Sequence, residues 1–323
     1  MGLVMVAWLV SIAQAAPAKE LPTTTVAKMN VAQSIVLGAV QGLTEFLPIS
    51  STAHLKVVPV LLGWGDPGVA YTAVIQLGSI VAVIWYFGGD IWQLIRESWL
   101  AWLDAWQKSI HKSAIAQIAQ TAFQESQEVR TSVGIFLGTC PIVFFGLMIK
   151  VFIPDFDNSI LRSMGAIACA AIGLSILLGA AEKLGTRERQ YEQITTQDGI
   201  LMGMAQAMAL IPGVSRSGST LTAGLFLSLE RAAAARFSFL LGIPAITLAG
   251  LVELRGVLGD PLLRSEILSI AVGVVSSGLF SYAAIAWLLG FLKRHSTWVF
   301  IWYRVGLGLM IFGLGAMGWL KLI

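Results

Sequence analysis

Gln41 and Glu45 stand four residues apart in an apolar stretch and are followed by Ser50, Ser51, Thr52 and His54. On a helix an i, i+4 pair shares one face, about 5–6 Å apart at the Cβ atoms. A carboxylate at membrane depth costs on the order of 2.5–3.5 kcal/mol, so an intramembrane Glu is functional by default. The alternative is that Glu45 forms a purely structural ion pair with Arg216, but such a pair leaves three hydroxyls and a histidine beside it without a purpose. A second cluster, Ser215, Arg216, Ser217, Ser219 and Thr220, follows Pro212-Gly213. A Gly-containing turn that opens a helix suits a phosphate, because free N–H groups and the positive helix end attract the anion. Arg adds a planar, two-point grip on phosphate oxygens. Alone this turn says little, since Ser and Gly also serve close helix packing. Taken together, the clusters supply an anion site lined by Gln41, Ser50, Thr52, Ser215, Ser217 and Thr220, with candidate acids, bases and nucleophiles. Two attack chemistries fit: Ser51 as nucleophile with His54 as base three residues on, or His54 activating water.

The elements that hold these residues must lie in a bilayer. Of 323 residues, 56% are hydrophobic and 12% charged, with a mean hydropathy of +0.79. A soluble domain carries about 25% charged residues, so most of this surface cannot face water. Lys+Arg (21) and Asp+Glu (18) are balanced and dispersed, which sets nucleic acid aside. Cys140 and Cys169 lie in apolar runs without zinc, redox or disulfide spacing and read as small core residues. Six runs are long enough to cross as helices: Val69–Phe87, Ser132–Phe152, Leu161–Ala181, Phe237–Leu254, Ile267–Leu292 and Trp298–Leu320. Two further regions, 31–62 and 199–229, are apolar but broken at Pro48–Thr52 and Pro212–Gly218. Their arms, mostly about 11 to 13 residues, are too short to cross, so they predict hairpins that enter and return. Irregular backbone at membrane depth is tolerated only inside protein or along a wet cavity, so both breaks are expected at the site.

The broken regions resemble one another. Gly38-Ala39-Val40-Gln41 aligns with Gly203-Met204-Ala205-Gln206, Leu47-Pro48 with Ile211-Pro212, Ser50 with Ser215, and Leu77-Gly78 with Leu241-Gly242. The expected architecture is an all-α polytopic membrane protein of two halves, each one re-entrant hairpin plus three spans, over residues 30–182 and 183–323. Three spans is an odd number, so the second half is inserted upside down, with the site between halves near the midplane. Eleven Lys and Arg fall on the side of the loops after Phe87, Ala181, Leu229 and Leu292, eight on the other, and Arg216 and Arg304 inside membrane segments. The bias places the eleven-residue side in the cytoplasm, and the first hairpin then opens outside. Region 88–131 carries Trp92, Trp99, Trp102 and Trp106 among charged residues and reads as an amphipathic helix on the membrane surface. Residues 1–29 form an extension for which a signal peptide, an extra helix and a misassigned start all remain open.

Gln41-Gly42-Leu43-Thr44-Glu45-Phe46-Leu47-Pro48-Ile49-Ser50-Ser51-Thr52-Ala53-His54 resembles the (E/Q)xxxE-FLPxSSTxH signature of the undecaprenyl-diphosphate phosphatases, the bacitracin-resistance protein family. Pro212-Gly213-Val214-Ser215-Arg216-Ser217-Gly218-Ser219-Thr220 resembles its PGxSRSxxT signature, and Ala73–Gly78 and Phe237–Leu241 are also similar to it. The resemblance spans residues 30–322. It implies a six-span fold with two opposed hairpins, dephosphorylation of a C55 isoprenyl diphosphate on the outer face of the bacterial plasma membrane, and a divalent metal. Gln41 stands where many members have Glu, which leaves one fewer carboxylate for the metal.

The expected activity is therefore hydrolysis of a polyprenyl diphosphate lipid, recycling the carrier for cell-wall synthesis. Arg216 neutralises the transferred phosphoryl group. Glu45, with Gln41 as a further ligand, holds Mg2+ or Ca2+, hard ions that take oxygen ligands. The partners are the lipid substrate and membrane lipids, with a homodimer permitted. His111 and His295, in or beside loops, are expected to be bystanders. The rival class is transport, in which broken helices bind the anion without cleaving it and Glu45 carries a coupling proton.

Overall fold

The computed structural model describes residues 28–109, 126–153, 156, 159–259 and 266–322. His111 and most of the N-terminal extension lie outside these residues. Among the described residues eleven α-helices follow in order: α1 (Val31–Glu45), α2 (Ser51–Leu61), α3 (Gly68–Tyr86), α4 (Gly88–Ser109), α5 (Gln127–Phe152), α6 (Met164–Leu184), α7 (Thr196–Ala207), α8 (Arg216–Phe226), α9 (Arg231–Gly259), α10 (Ile267–Leu292) and α11 (Trp298–Ala316). Six of them, α3, α5, α6, α9, α10 and α11, are long and apolar enough to span a bilayer, and they fall on the six runs expected from sequence. The pairs α1/α2 and α7/α8 have arms of 15, 11, 12 and 11 residues and break where the Pro and hydroxyl clusters stand.

Hydropathy is turned inside out relative to a soluble fold. Phe136, Leu279, Trp287 and Trp302 face outward, while Ser34, Gln41, Glu45, Gln206, Ser277 and Arg304 are buried. Cys140 and Cys169 are exposed on this apolar exterior, which corrects the expectation that they are core residues. In a membrane protein an apolar run marks the lipid face as readily as the interior, so hydropathy could not place them.

Small residues let the first arm of each hairpin dock on a span. A methyl group at Gly38 would overlap the backbone of Gly273, and one at Gly42 that of Ser277, both on α10. Gly199 and Gly203 on α7 approach Gly134 and Gly138 on α5 just as closely. Such approach replaces the hydrophobic drive that helices lack inside lipid.

At one end of the bundle, Glu182 near the end of α6 accepts bonds from Arg187, from Arg231 at the start of α9, and from Thr297 before α11. Arg189 makes a two-point pair with Asp198 on α7. At the other end the Gly165 N–H donates to the Leu322 carbonyl. Helix α4 is joined to its neighbours by Gln93–Glu128, Ser98–Ser132 and Arg236–Asp90 contacts. Its Trp92, Trp99 and Trp102 side chains are exposed, with the last two stacked at 5.1 Å.

Candidate active site

Both hairpins reverse through a serine in an unusual backbone state. Ser50 has φ 73°, ψ 96° and Ser215 has φ 66°, ψ 116°. Positive φ is costly for a residue with a Cβ, on the order of 1–3 kcal/mol, and persists only where the surroundings fix it. Each serine also caps the helix it opens: the Ser50 hydroxyl accepts from the Ala53 N–H, and that of Ser215 from the Gly218 N–H. The starts of α2 and α8 therefore lie at the depth of the breaks.

Arg304, fully buried on α11, holds the two turns together. Its guanidinium donates to the Pro48 carbonyl of the first turn at 3.2 Å and to the Gly213 and Val214 carbonyls of the second at 3.1 and 3.3 Å. The Nε–H is shared between the Ala171 carbonyl and Ser175 on α6. Ser217 adds a second tie, donating to the Glu45 and Leu47 carbonyls. Carbonyls released by an interrupted helix need such donors inside a membrane.

Glu45, the last residue of α1, is buried at the centre. One carboxylate oxygen accepts from Gln41 Nε2 at 2.9 Å and from Ser51 Oγ at 2.8 Å. The other accepts from Gln76 Nε2 at 3.0 Å and from the Arg216 guanidinium at 3.3 Å. Arg216 also donates to the Ser238 carbonyl on α9, and its buried Nε has no partner. A methyl group at Gly242, one turn further along α9, would overlap this guanidinium, so that glycine makes the space Arg216 occupies.

Gln41, Glu45, Ser51 and Arg216 thus come together, and the Glu45–Arg216 pair weighed above as the structural alternative exists, but within a larger polar network. Ser50 and Ser215 are caps, the former 3.1 Å from the Thr52 hydroxyl. Ser217 ties the hairpins together, and Thr220 donates to the Arg216 carbonyl and meets the Ser238 hydroxyl. His54 differs from expectation. Its Nδ1 is 2.7 Å from the Ser50 carbonyl and its Nε2 is 2.7 Å from the Tyr303 hydroxyl. Neither ring nitrogen engages Ser51, whose hydroxyl turns to Glu45 instead. Three residues on a helix bring two Cα atoms to one face, but χ angles decide the partner, and Tyr303 from α11 claims the imidazole. His295 is exposed and stacks on Phe291.

Three participants come from spans remote in sequence: Gln76, Tyr303 and Arg304. A polar side chain inside an apolar span is the signal for each, but it names no partner. Behind Gln41, the Ser79, Ser277 and Ser281 hydroxyls form a buried chain, with Ser79 3.5 Å from Gln41 Nε2.

The donor set bears on a metal. Among the described residues no cluster of three or more His, Cys, Asp or Glu could cage an ion. Glu45, the amides of Gln41 and Gln76 and the Ser51 hydroxyl nevertheless form an all-oxygen donor set once the amides turn. That suits a hard cation of the kind held by one or two carboxylates together with substrate phosphates.

Among relatives, the chain is 61% identical over 296 residues to the undecaprenyl-diphosphatase of Trichormus variabilis, covering 92% of this chain and 87% of that protein. It is 54% identical over 316 residues to the undecaprenyl-diphosphatase of a Synechocystis species, covering 97% and 92%. The model of the family described as bacitracin resistance protein BacA matches residues 34–310, which include both turns, Glu45, Arg216 and Arg304, and the chain belongs to that family.

Proposed function

We propose that this multi-pass membrane protein is a phosphatase that hydrolyses undecaprenyl diphosphate to undecaprenyl phosphate and inorganic phosphate. Its product is the lipid carrier used in cell-wall synthesis. The observation that carries the chemistry is the Ser51 hydroxyl 2.8 Å from one Glu45 oxygen, with Arg216 3.3 Å from the other. A nucleophile and a phosphate-gripping cation at the starts of two helices thereby meet a proton acceptor at the end of a third.

In this reading Ser51 Oγ attacks the terminal phosphorus and Glu45 takes the hydroxyl proton. The bond from phosphorus to the bridging oxygen breaks, and the lipid monophosphate leaves. Arg216 and the helix starts balance charge on the phosphoryl oxygens. Water then attacks the phosphoserine, Glu45 returns its proton to the Ser51 oxygen, and inorganic phosphate is released. His54 acts as a positioning residue, holding the strained first turn through the Ser50 carbonyl. A divalent cation, Mg2+ or Ca2+, held by Glu45 with Gln41 and Gln76, would supply further charge neutralisation on the phosphates. We assign the two halves, 30–182 and 183–323, to opposite orientations in the bacterial plasma membrane, with the first hairpin opening on the periplasmic side.

The test uses purified protein in detergent, where no compartments exist for transport. Phosphate release from undecaprenyl diphosphate is expected from the wild type, and substrate labelled in its terminal phosphate should leave label on the protein after rapid quenching. Ser51→Ala should abolish both. Hydrolysis by Ser51→Ala with no label on the wild type overturns the covalent route, and absence of hydrolysis throughout overturns the phosphatase.

A further inference from the structure

A cavity of about 270 Å³ is walled by Asp90 on α4, by Glu128 and Thr131 on α5, by Tyr191 and Glu192 in the connection between α6 and α7, and by Arg236 on α9. The volume exceeds the roughly 150 Å³ that accepts a benzene ring and falls near the lower end of small-molecule pockets. Three lining carboxylates face one lining cation. Arg236 is already engaged, 2.9 Å from Asp90 and with its guanidinium 4.1 Å from the centre of the Tyr191 ring. Glu128 accepts only from the neutral Gln93 and Ser126 side chains, and Glu192 is exposed with no hydrogen bond or ion pair among the described residues. Burial, opposed by Arg236 and aided by Asp90, Glu192 and Glu128, pushes the Tyr191 hydroxyl up to about 12. Near neutral pH it therefore stays a neutral O–H.

Thr131 is the independent signal. It is 1% exposed, and its hydroxyl has no partner. Other helical threonines here return the hydroxyl to the carbonyl four residues back, as Thr44, Thr139 and Thr222 do. Thr131 does not, so a buried oxygen in the cavity wall is left to pair with something else. A buried hydroxyl without a partner is costly. A metal ion does not suit the site, since among the described residues no three His, Cys, Asp or Glu are placed to hold one. An anion would meet unpaired carboxylates and an arginine that is already occupied. A quaternary ammonium needs an open aromatic face, and Arg236 covers that of Tyr191. A primary ammonium brings three N–H donors, and the wall offers carboxylate, amide and hydroxyl oxygens to receive them.

We propose that this cavity is a binding site for an organic primary amine, with Glu128 and Glu192 supplying the charge and Thr131 a buried oxygen acceptor. The amine comes either from a soluble compound or from a lipid headgroup, and the choice of bilayer separates these sources. The test titrates putrescine into the full chain in phosphatidylcholine nanodiscs, followed by calorimetry at about 0.15 M salt, where loose surface attraction is screened. Saturable binding is expected. Glu128→Gln and Glu192→Gln should each raise the Kd about threefold or more. Putrescine methylated fully at both nitrogens keeps the charge but has no N–H, and it should fail to compete. Thr131→Val should also raise the Kd about threefold, while the unfolding midpoint of the amine-free protein does not fall, because the hydroxyl it removes has no partner. A loss of stability with unchanged amine binding in that variant would make Thr131 a packing residue and overturn its role. Replacing the lipid by phosphatidylethanolamine assigns the site to a headgroup amine if the putrescine Kd rises, and to a soluble amine if it does not. Absence of saturable binding, equal competition by the methylated analogue, or a Kd that neither carboxylate variant moves would overturn the site, and none of these outcomes depends on hydrolysis.

Discussion

Glu45 faces two demands that conflict in a soluble core and agree here. Its buried charge must be compensated, and the groups that compensate it, Ser51, Arg216, Gln41 and Gln76, are those a phosphate would meet. Arg216 is the sharpest case. Lysine keeps the charge but cannot span the Glu45 carboxylate, the Ser238 carbonyl and a phosphate oxygen together. Arg216→Lys should therefore lower kcat on the order of 10²-fold or more, and near-wild-type phosphate release by that variant would show that Arg216 only attracts substrate. Gln41, Glu45, Ser51 and Arg216 were legible in the sequence because intramembrane polarity and short spacing suffice to single them out. The partner of His54 was not, since Tyr303 lies 249 residues away. Arg304 is visible in the sequence only as a charge inside a span, because its ligands are backbone carbonyls that any residue could provide.

The helices are placed by a division of labour between length and small residues. Six apolar runs fill the bilayer and two fall short, and this difference survives intact from sequence to structure because rise per residue is fixed. What hydropathy leaves undetermined is rotation about each axis, which is why Cys140 and Cys169 are exposed rather than buried. Glycine contacts set that rotation, and Gly242 links it to chemistry. Since a methyl group there meets the tip of Arg216 rather than backbone, the side chain yields before the helix does. Gly242→Ala should lower phosphate release tenfold or more, about 1.4 kcal/mol in the barrier, while the thermal unfolding midpoint stays near that of wild type. Equal losses of activity and stability would mean that Gly242 serves helix packing alone. Gly203, by contrast, lies against the Gly138 backbone, where no flexible tip can move aside.

Across the whole chain, features of the two halves recur in equivalent places. Ser50 and Ser215, matched by sequence, adopt nearly the same positive-φ cap. Gly38 and Gly203, also matched, dock the first arm of each hairpin on a span of the other half. Such a pairing suits two halves related by an in-plane pseudo-twofold axis, and with three spans per half the hairpins then open on opposite faces. The Lys and Arg bias is the ground on which we propose that the first opening lies outside the cell. Ser51, partly exposed beside exposed Thr52, reports on that assignment. In right-side-out cells or spheroplasts, a membrane-impermeant thiol reagent should label Ser51→Cys in a background where Cys140 and Cys169 are replaced by Ala. In inverted vesicles the same reagent should leave it unlabelled. The Arg189–Asp198 pair at the mouth of the second hairpin gives the complementary signal, since cysteine at Glu192 in the adjoining exposed loop should label only in inverted vesicles. Labelling of both positions from one side would refute the opposed hairpins, and an exchange of sides would keep the fold but reverse its orientation.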